Sequence, residues 1–355
     1  MAQAAVYIVC YVLVDLGYFM GLAKSVLQPS TRITYLGLVF DTARQAFILP
    51  QDKVVKFVKL REAIVVSKNF VQVKTLQRFQ GKCISFSLAV PGVKLFIRST
   101  AAAIASAGSN PQVPMSPALR EELTHWRFLD SWEDCIPWRD EKHLILSMSS
   151  DSSGFAWGGV FHLPEGNLEV RDYWSSEEAA LHISKNEMLA LLRVLQSSPV
   201  ELRDCRVDVN VDSQVLLDTW SRAGRRSPQL TAATKEVFHL VSGRNIQLTL
   251  YKVPSKGNIA DLPSRHLSPS DSKLSLQSWK RIQEAFGGET GHTLDFMALD
   301  SNAQPDFEGS SLPHFTPFPT PQSAGVNLFA QNPITWKRKE NRYVFPLSSS
   351  HLPIG

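Results

Sequence analysis

Four carboxylates in the second half of the chain carry the strongest chemical signal: Asp151, Glu187, Asp212 and Asp261. Asp151 ends an apolar run just ahead of a Ser-Ser-Gly turn, and Asp212 ends the alternating string VDVNVD where a helix begins. Glu187 falls in the first turn of a predicted helix, and Asp261 in a turn after the last predicted strand. If the strands ending at Asp151 and Asp212 are parallel neighbours, both carboxylates stand at the edge where open α/β sheets place their sites. Carboxylates gathered with no lysine among them are costly unless cations occupy the cluster. Hard oxygen ligands suit Mg²⁺ or Mn²⁺, and two such ions about 4 Å apart activate a water and stabilise the leaving oxygen of a phosphodiester. The chemistry expected of such a group is metal-dependent cleavage of a nucleic-acid backbone.

Each residue also has a purely structural reading. Ser184 and Glu187 have capping-box spacing. Asp212 could be a helix N-cap and Asp151 an Asx-turn residue. Asp261 could follow an Asn258 cap and merely suit the helix dipole. Asp208 is a weaker rival because it lies mid-strand, and Asp204 and Asp218 read as solvated surface charges.

The elements that must position these groups follow an α/β pattern. Strands are predicted at 144–150, 156–162 and 168–174, a helix at 185–196 and a fourth strand at 206–211. Helices at 213–222 and 228–241 lead to a fifth strand at 246–253. The texture before residue 143 differs. Two short strands are expected within 33–49, then amphipathic helices at 51–66, 71–90 and 116–132, the last with Ser116 as N-cap and Pro117 at its first position. After residue 268, Ser- and Pro-rich strings such as SPSDSKLS and LPHFTPFPTP predict a mostly disordered tail over 268–355.

A chain of 355 residues with 44% hydrophobic and 20% charged residues is ordinary globular material, long enough for two folded units and a remainder. The net charge of +4 conceals an imbalance. Residues 24–98 hold 13 Lys and Arg against Asp41, Asp52 and Glu62. Among them Lys53, Lys56, Lys59, Lys74, Arg78 and Lys82 lie on the predicted helices, where they suit a phosphate backbone read without regard to sequence. A solvated basic face is the competing reading. The four cysteines form no CxxC or Cys/His cluster, which favours a reducing compartment, cytoplasm or nucleus, over secretion. The apolar first 14 residues have no basic start, and Asp15 interrupts them. They fit neither a signal peptide nor a spanning helix, so no membrane partner is expected.

The carboxylates run Asp, Glu, Asp, Asp on strand, helix, strand and turn, a pattern that resembles the ribonuclease H domain of reverse transcriptases. The strings DSSGFAWGGVF (151–161), YWSSEEAALHISKNEMLALLRVL (173–195) and VDVNVDSQVLL (207–217) carry the likeness. VPSKGNIADLPSR (253–265) is similar to the closing motif of retrotransposon members, closest to the tyrosine-recombinase elements of the DIRS/Ngaro group. Residues 15–42 and LQRFQGKCISFSLAVPGVKLFIR (76–98) resemble the end of a polymerase palm (1–49), followed by thumb and connection (50–135). DFMALDSNAQ (295–304) resembles a segment that follows the ribonuclease H domain in the same elements.

The resemblance implies a ribonuclease H-like five-stranded mixed sheet with flanking helices over 143–267, preceded by a mainly helical unit. It implies a metal-dependent nuclease cutting the RNA strand of an RNA–DNA hybrid, with two Mg²⁺ or Mn²⁺ ions held by Asp151, Glu187, Asp212 and Asp261. Ser152 and Ser153 would touch the hybrid's sugar edge. There are departures. The chain has no Tyr-x-Asp-Asp, so polymerisation is not expected of it alone, and a palm-bearing chain acting in trans is a possible partner. Residues 252–257 contain no histidine, unlike many relatives. Pro263 limits the last helix to about one turn and loosens the hold on Asp261. A domesticated or decayed remnant that binds without catalysis is the rival reading. A dinucleotide-binding fold is excluded, because no G-x-G-x-x-G follows a strand.

Overall fold

The computed structural model describes residues 2–67, 69–131, 136–137, 144–224, 227–266, 273–331 and 341–344. The chain forms two compact units, Met1–Asp140 and Glu141–Gly355.

The first unit begins with helix α1 (Ala2–Asp15), none of whose residues is buried. Strands β1 (Arg32–Tyr35), β2 (Leu38–Asp41) and β3 (Ala46–Ile48) form an antiparallel meander. Helix α2 (Gln51–Val65) turns Val54, Phe57, Arg61 and Ile64 inward. Strand β4 (Phe70–Gln72) leads into helix α3 (Val73–Ser85), which buries Leu76, Phe79 and Cys83. Helix α4 (Arg98–Ser106) is followed by β5 (Gln112–Pro114), antiparallel to β4. The helix predicted over 71–90 is therefore shorter than expected, because residues 71–72 are drawn into the β4–β5 pair and residues 86–90 close into turns. Helix α5 (Pro117–His125) starts as its sequence requires, with the Ser116 hydroxyl accepting from the Leu119 N–H at 3.2 Å. Strand β6 (Ile136–Pro137) joins the meander beside β3. The core is aromatic: Phe57 stacks on Phe79 at 5.2 Å between centroids and meets Trp126 edge-on at 5.6 Å.

The second unit holds strands β7 (Ile145–Ser152), β8 (Ala156–Leu163) and β9 (Gly166–Tyr173), then helices α6 (Ser176–Ala179) and α7 (Ile183–Gln196). Strand β10 (Arg206–Val211), helices α8 (Gln214–Ser221) and α9 (Pro228–Gly243), strand β11 (Gln247–Lys252) and helix α10 (Asp261–Arg265) follow. The sheet order is β11-β10-β7-β8-β9, with β7-β8-β9 antiparallel and β10 parallel to both neighbours. This is the predicted α/β fold with a five-stranded mixed sheet and flanking helices. The alternation in RVDVNV buries Val207, Val209 and Val211. Consecutive glycines on β8 face opposite sides of the sheet, and each admits a helix. A Cβ on Gly159 would lie 2.5 Å from a methyl of Val194 on α7, so helix and strand meet at closest approach. Gly159→Ala is expected to destabilise this unit by about 1–3 kcal/mol, measured by urea unfolding. An unchanged midpoint would mean the interface can repack freely.

The segment after 267 differs from the disordered tail expected. Helix α11 (Leu276–Phe286) and short strands β12 (Leu294–Asp295), β13 (Phe315–Thr316), β14 (Gly325–Val326) and β15 (Arg342–Tyr343) pack around Trp279, Leu294, Phe296, Leu299 and Leu312. Strand β12 runs parallel to β15, and β13 to β14. The physical reason is that these apolar side chains bury together and several of the polar groups among them are paired. Trp279 Nε1 donates to the Pro305 carbonyl at 2.6 Å, and His314 bridges Asp300 and the Leu312 carbonyl. Ser301 donates through both its N–H and its hydroxyl to Asp172 on β9, which ties this segment to the sheet. Residues 267–272, 332–340 and 345–355 of the same expected tail lie outside the described residues. No helix among the described residues is long and apolar enough to cross a membrane.

Candidate metal centre

Ser149 on β7 pairs with Asn210 on β10 in parallel register. Two residues further along each chain come Asp151 and Asp212, so the two carboxylates leave the same edge of the sheet. Helix α7 lies against β7 and β8 and brings Glu187 to them. Ligand oxygens of Asp151, Glu187 and Asp212 all lie within 4.8 Å of one another. Asp151 is buried, and the other two are half-buried.

The structural alternatives for Glu187 and Asp212 fall elsewhere in the chain. The N-cap of α7 is His182, whose ring nitrogen accepts from the Ser184 N–H at 3.1 Å, so Ser184 and Glu187 make no capping box. That motif forms at Ser175 and Glu178 instead. The N-cap of α8 is Ser213 rather than Asp212. Asp208 is occupied by Arg206, 2.7 Å away.

Electrostatics mark the cluster as unfavourable without a cation. Burial, then the charges of Asp151 and Asp212, push the Glu187 carboxyl up to about 8. Burial chiefly raises Asp151 to about 6, with Asp212 and Asp261 adding to it and the Ser264 hydroxyl opposing it. A group held above its unfolded value adds stability at low pH and loses it as pH rises through the folded value. The cation-free protein should therefore weaken between about pH 4 and pH 8, where a bound cation offsets the loss. At ten times its Kd, Mg²⁺ should raise the Tm of this unit by roughly 3–6 °C at pH 8, with little effect at pH 5. An equal shift at both values, measured by calorimetry, would refute the coupling.

Asp261 is not in the cluster. Its Oδ1 accepts from Arg265 Nε at 2.7 Å in an exposed i,i+4 pair, although it lies near enough to raise Asp151. The structure thus gathers three of the four predicted ligands. Ser152 and Ser153 are the residues expected at the sugar edge. Both are buried, and the Ser153 hydroxyl faces the carbonyls of Ser264 and Ala156 while accepting from the Ala156 N–H. The turn itself claims them, and Gly154 and Phe155 are the outward residues. Of two residues beside the centre, sequence reasoning read Asn258 only as a helix cap and passed over Ser264. The only signal for Ser264 was its position after Asp261 in GNIADLPSR.

In the first unit, Lys74, Arg78 and Lys82 are spaced four apart along one face of α3. Gly81 shares that face, and a Cβ there would meet nothing, which leaves the backbone open between two cationic side chains. On α2, Lys53 is half-buried over Gly37, Lys56 pairs with Asp52 at 3.0 Å, and Lys59 is exposed. Arg61 is no phosphate contact: it is buried and bound to Asp130, Glu62 and the Trp126 carbonyl.

No protein-family model and no curated protein matches the chain. Among solved structures, 175 chains match. One is a foamy viral protease-reverse transcriptase in complex with double-stranded DNA, 15% identical, with a TM-score of 0.32, over 69% of this chain and 42% of that one. Another is ribonuclease H1 of the halophilic archaeon Halobacterium salinarum NRC-1, 19% identical, with a TM-score of 0.29, over 34% of this chain and 93% of that one. A third is LC11-RNase H1 in complex with an RNA/DNA hybrid, 19% identical, with a TM-score of 0.27, over 34% and 91%. The chain thus spans under half of the viral protein it matches.

Proposed function

We propose that the second unit is a metal-dependent nuclease that hydrolyses the RNA strand of an RNA–DNA hybrid. In this reading the chain is the C-terminal portion of a retrotransposon reverse transcriptase of the DIRS/Ngaro type, acting inside the cell. One observation carries it: three acidic side chains from two parallel strands and a facing helix converge within 4.8 Å, and Arg265, whose charge reaches Asp151 and Asp212, is held by the Asp261 carboxylate. Lys252 donates to the backbone carbonyl of Asp212 and not to its carboxylate.

The donor set is all oxygen, which fits Mg²⁺ or Mn²⁺. Bound as a pair, such ions lower the pKa of a water and neutralise charge on a phosphate. Asp151 and Asp212 would hold both, with Glu187 and Asp261 completing one site each. Asp261 must first leave Arg265, and an exposed pair of this kind is weak. Burial around Asp151 keeps competing water away from its carboxylate. The basic face of α3 would follow the phosphates of the hybrid, and a palm-bearing chain in trans would supply polymerisation.

The test is binding and cleavage of a labelled hybrid by the full chain. Cleavage should require Mg²⁺ or Mn²⁺, and affinity should fall steeply with salt. Replacing Lys74, Arg78 and Lys82 with Gln should reduce the slope of log K against log salt by about 2–3. A hybrid left intact at millimolar Mg²⁺ would defeat the nuclease reading, and an unchanged slope would defeat the role of α3.

A further inference from the structure

Two of the polar anchors of the metal centre come from a segment that follows all three of its gathered carboxylates in the chain. Ser264, on α10, is fully buried, and its hydroxyl lies 2.5 Å from Asp151 Oδ2. The hydroxyl also lies 3.0 Å from the Asp261 carbonyl, but it has one proton to give. The shorter bond to a carboxylate is the stronger of the two. On the other side, Asn258 Nδ2 donates to the Ser150 carbonyl at 3.1 Å and stands 3.5 Å from Asp151 Oδ1. The oxygen of the same amide accepts from the Ala260 N–H, which starts the turn into α10.

Helix α10 reaches Asp151 only because of what β8 lacks. A Cβ on Gly158 would stand 2.4 Å from the Ser264 nitrogen and 2.8 Å from the Pro263 carbonyl carbon. Gly158 is itself the β8 partner of Asp151. Ser153 closes the arrangement by donating to the Ser264 carbonyl at 2.7 Å. Pro263 is buried in this seat.

We infer that Ser264 is a positioning residue for Asp151: its buried hydroxyl, seated by Gly158 and Ser153, fixes the carboxylate in the orientation that accepts a divalent cation. The inference rests on the reading of Asp151, Glu187 and Asp212 as a metal centre. It makes α10 a two-ended element, carrying Asp261 at its start and the grip on Asp151 three residues later. Hydrogen-bond partners behind metal ligands commonly govern affinity by 10- to 100-fold.

The experiment is calorimetric titration of the full chain with Mn²⁺ at pH 7.5, well below its melting temperature. Ser264→Ala should weaken binding by about 10- to 100-fold. The isosteric pair Ser264→Thr and Ser264→Val separates the hydroxyl from packing, and Thr should bind at least tenfold tighter than Val. A purely structural serine would lower the melting temperature and leave Kd in place. Ser264→Ala within threefold of the wild type overturns the inference, and so does equal affinity of the Thr and Val variants should the alanine variant fail to fold. A wild type that binds no cation overturns the metal-centre reading itself, which keeps the two failures apart.

Discussion

Asp212→Asn should abolish hybrid cleavage and make the cation-free protein more stable. The substitution keeps size and shape while removing one negative charge from a cluster whose oxygens lie within 4.8 Å. Its repulsion contributes to holding Glu187 near 8, so relief of that repulsion stabilises the fold. The same charge is one a divalent cation needs, and its loss should lower the cleavage rate by at least about a thousandfold, on the order of 4 kcal/mol. A structural aspartate behaves in the opposite way, since its removal costs stability. Cleavage assays and melting curves on one preparation decide the matter. Retained activity, or a lowered cation-free melting temperature, would count against the site.

The second large effect belongs to the first unit. Arg61 is 1% exposed and grips both oxygens of Asp130 at 2.8 Å each. It also donates to Glu62 and to the Trp126 carbonyl, so one side chain ties α2 to the turn after α5. Removing one partner of a buried ion pair typically costs about 3–5 kcal/mol. Asp130 and Glu62 are each 43% exposed and regain some solvation, so about 2–4 kcal/mol is expected for Arg61→Ala. Arg61→Lys should recover little, because an ammonium cannot span two carboxylate oxygens and a carbonyl at once. Urea unfolding followed by circular dichroism tests this, and a loss below 1 kcal/mol would show the network to be dispensable.

The sheet was legible because its signals are local. Alternation in RVDVNV, the turn residues after Asp151 and the spacing of apolar residues in α7 each act over a few positions. Asp151 and Asp212 could be placed together because both end strands, and parallel pairing then brings them to one edge. What was hidden depends on contacts across more than a hundred residues, such as Ser264 with Asp151 and Ser153 with the Ser264 backbone. Composition misled in the tail, because its core consists of a short apolar cluster at 294–303 joined by Trp279 and Leu312 from outside it. Arg61 was counted with the basic stretch, although its period with Val54, Phe57 and Ile64 already placed it on the inner face. The i,i+4 spacing of Asp261 and Arg265 was equally plain, but it states a competition and not its outcome.

The parallel pairing of β7 with β10 also sets a timetable. Ile145 must wait for Arg206, 61 positions later, before the central ladder can close. The seat of Ser264 beside Gly158 spans more than a hundred. Such distant pairings slow folding, because loop closure must precede any reward from contact. A chain emerging from the ribosome therefore carries Asp151 and Glu187 long before it can gather them with Asp212, and the grip of Ser264 comes later still. The order of the segments makes the gathered carboxylates, with Ser264 behind Asp151, the last feature the domain acquires.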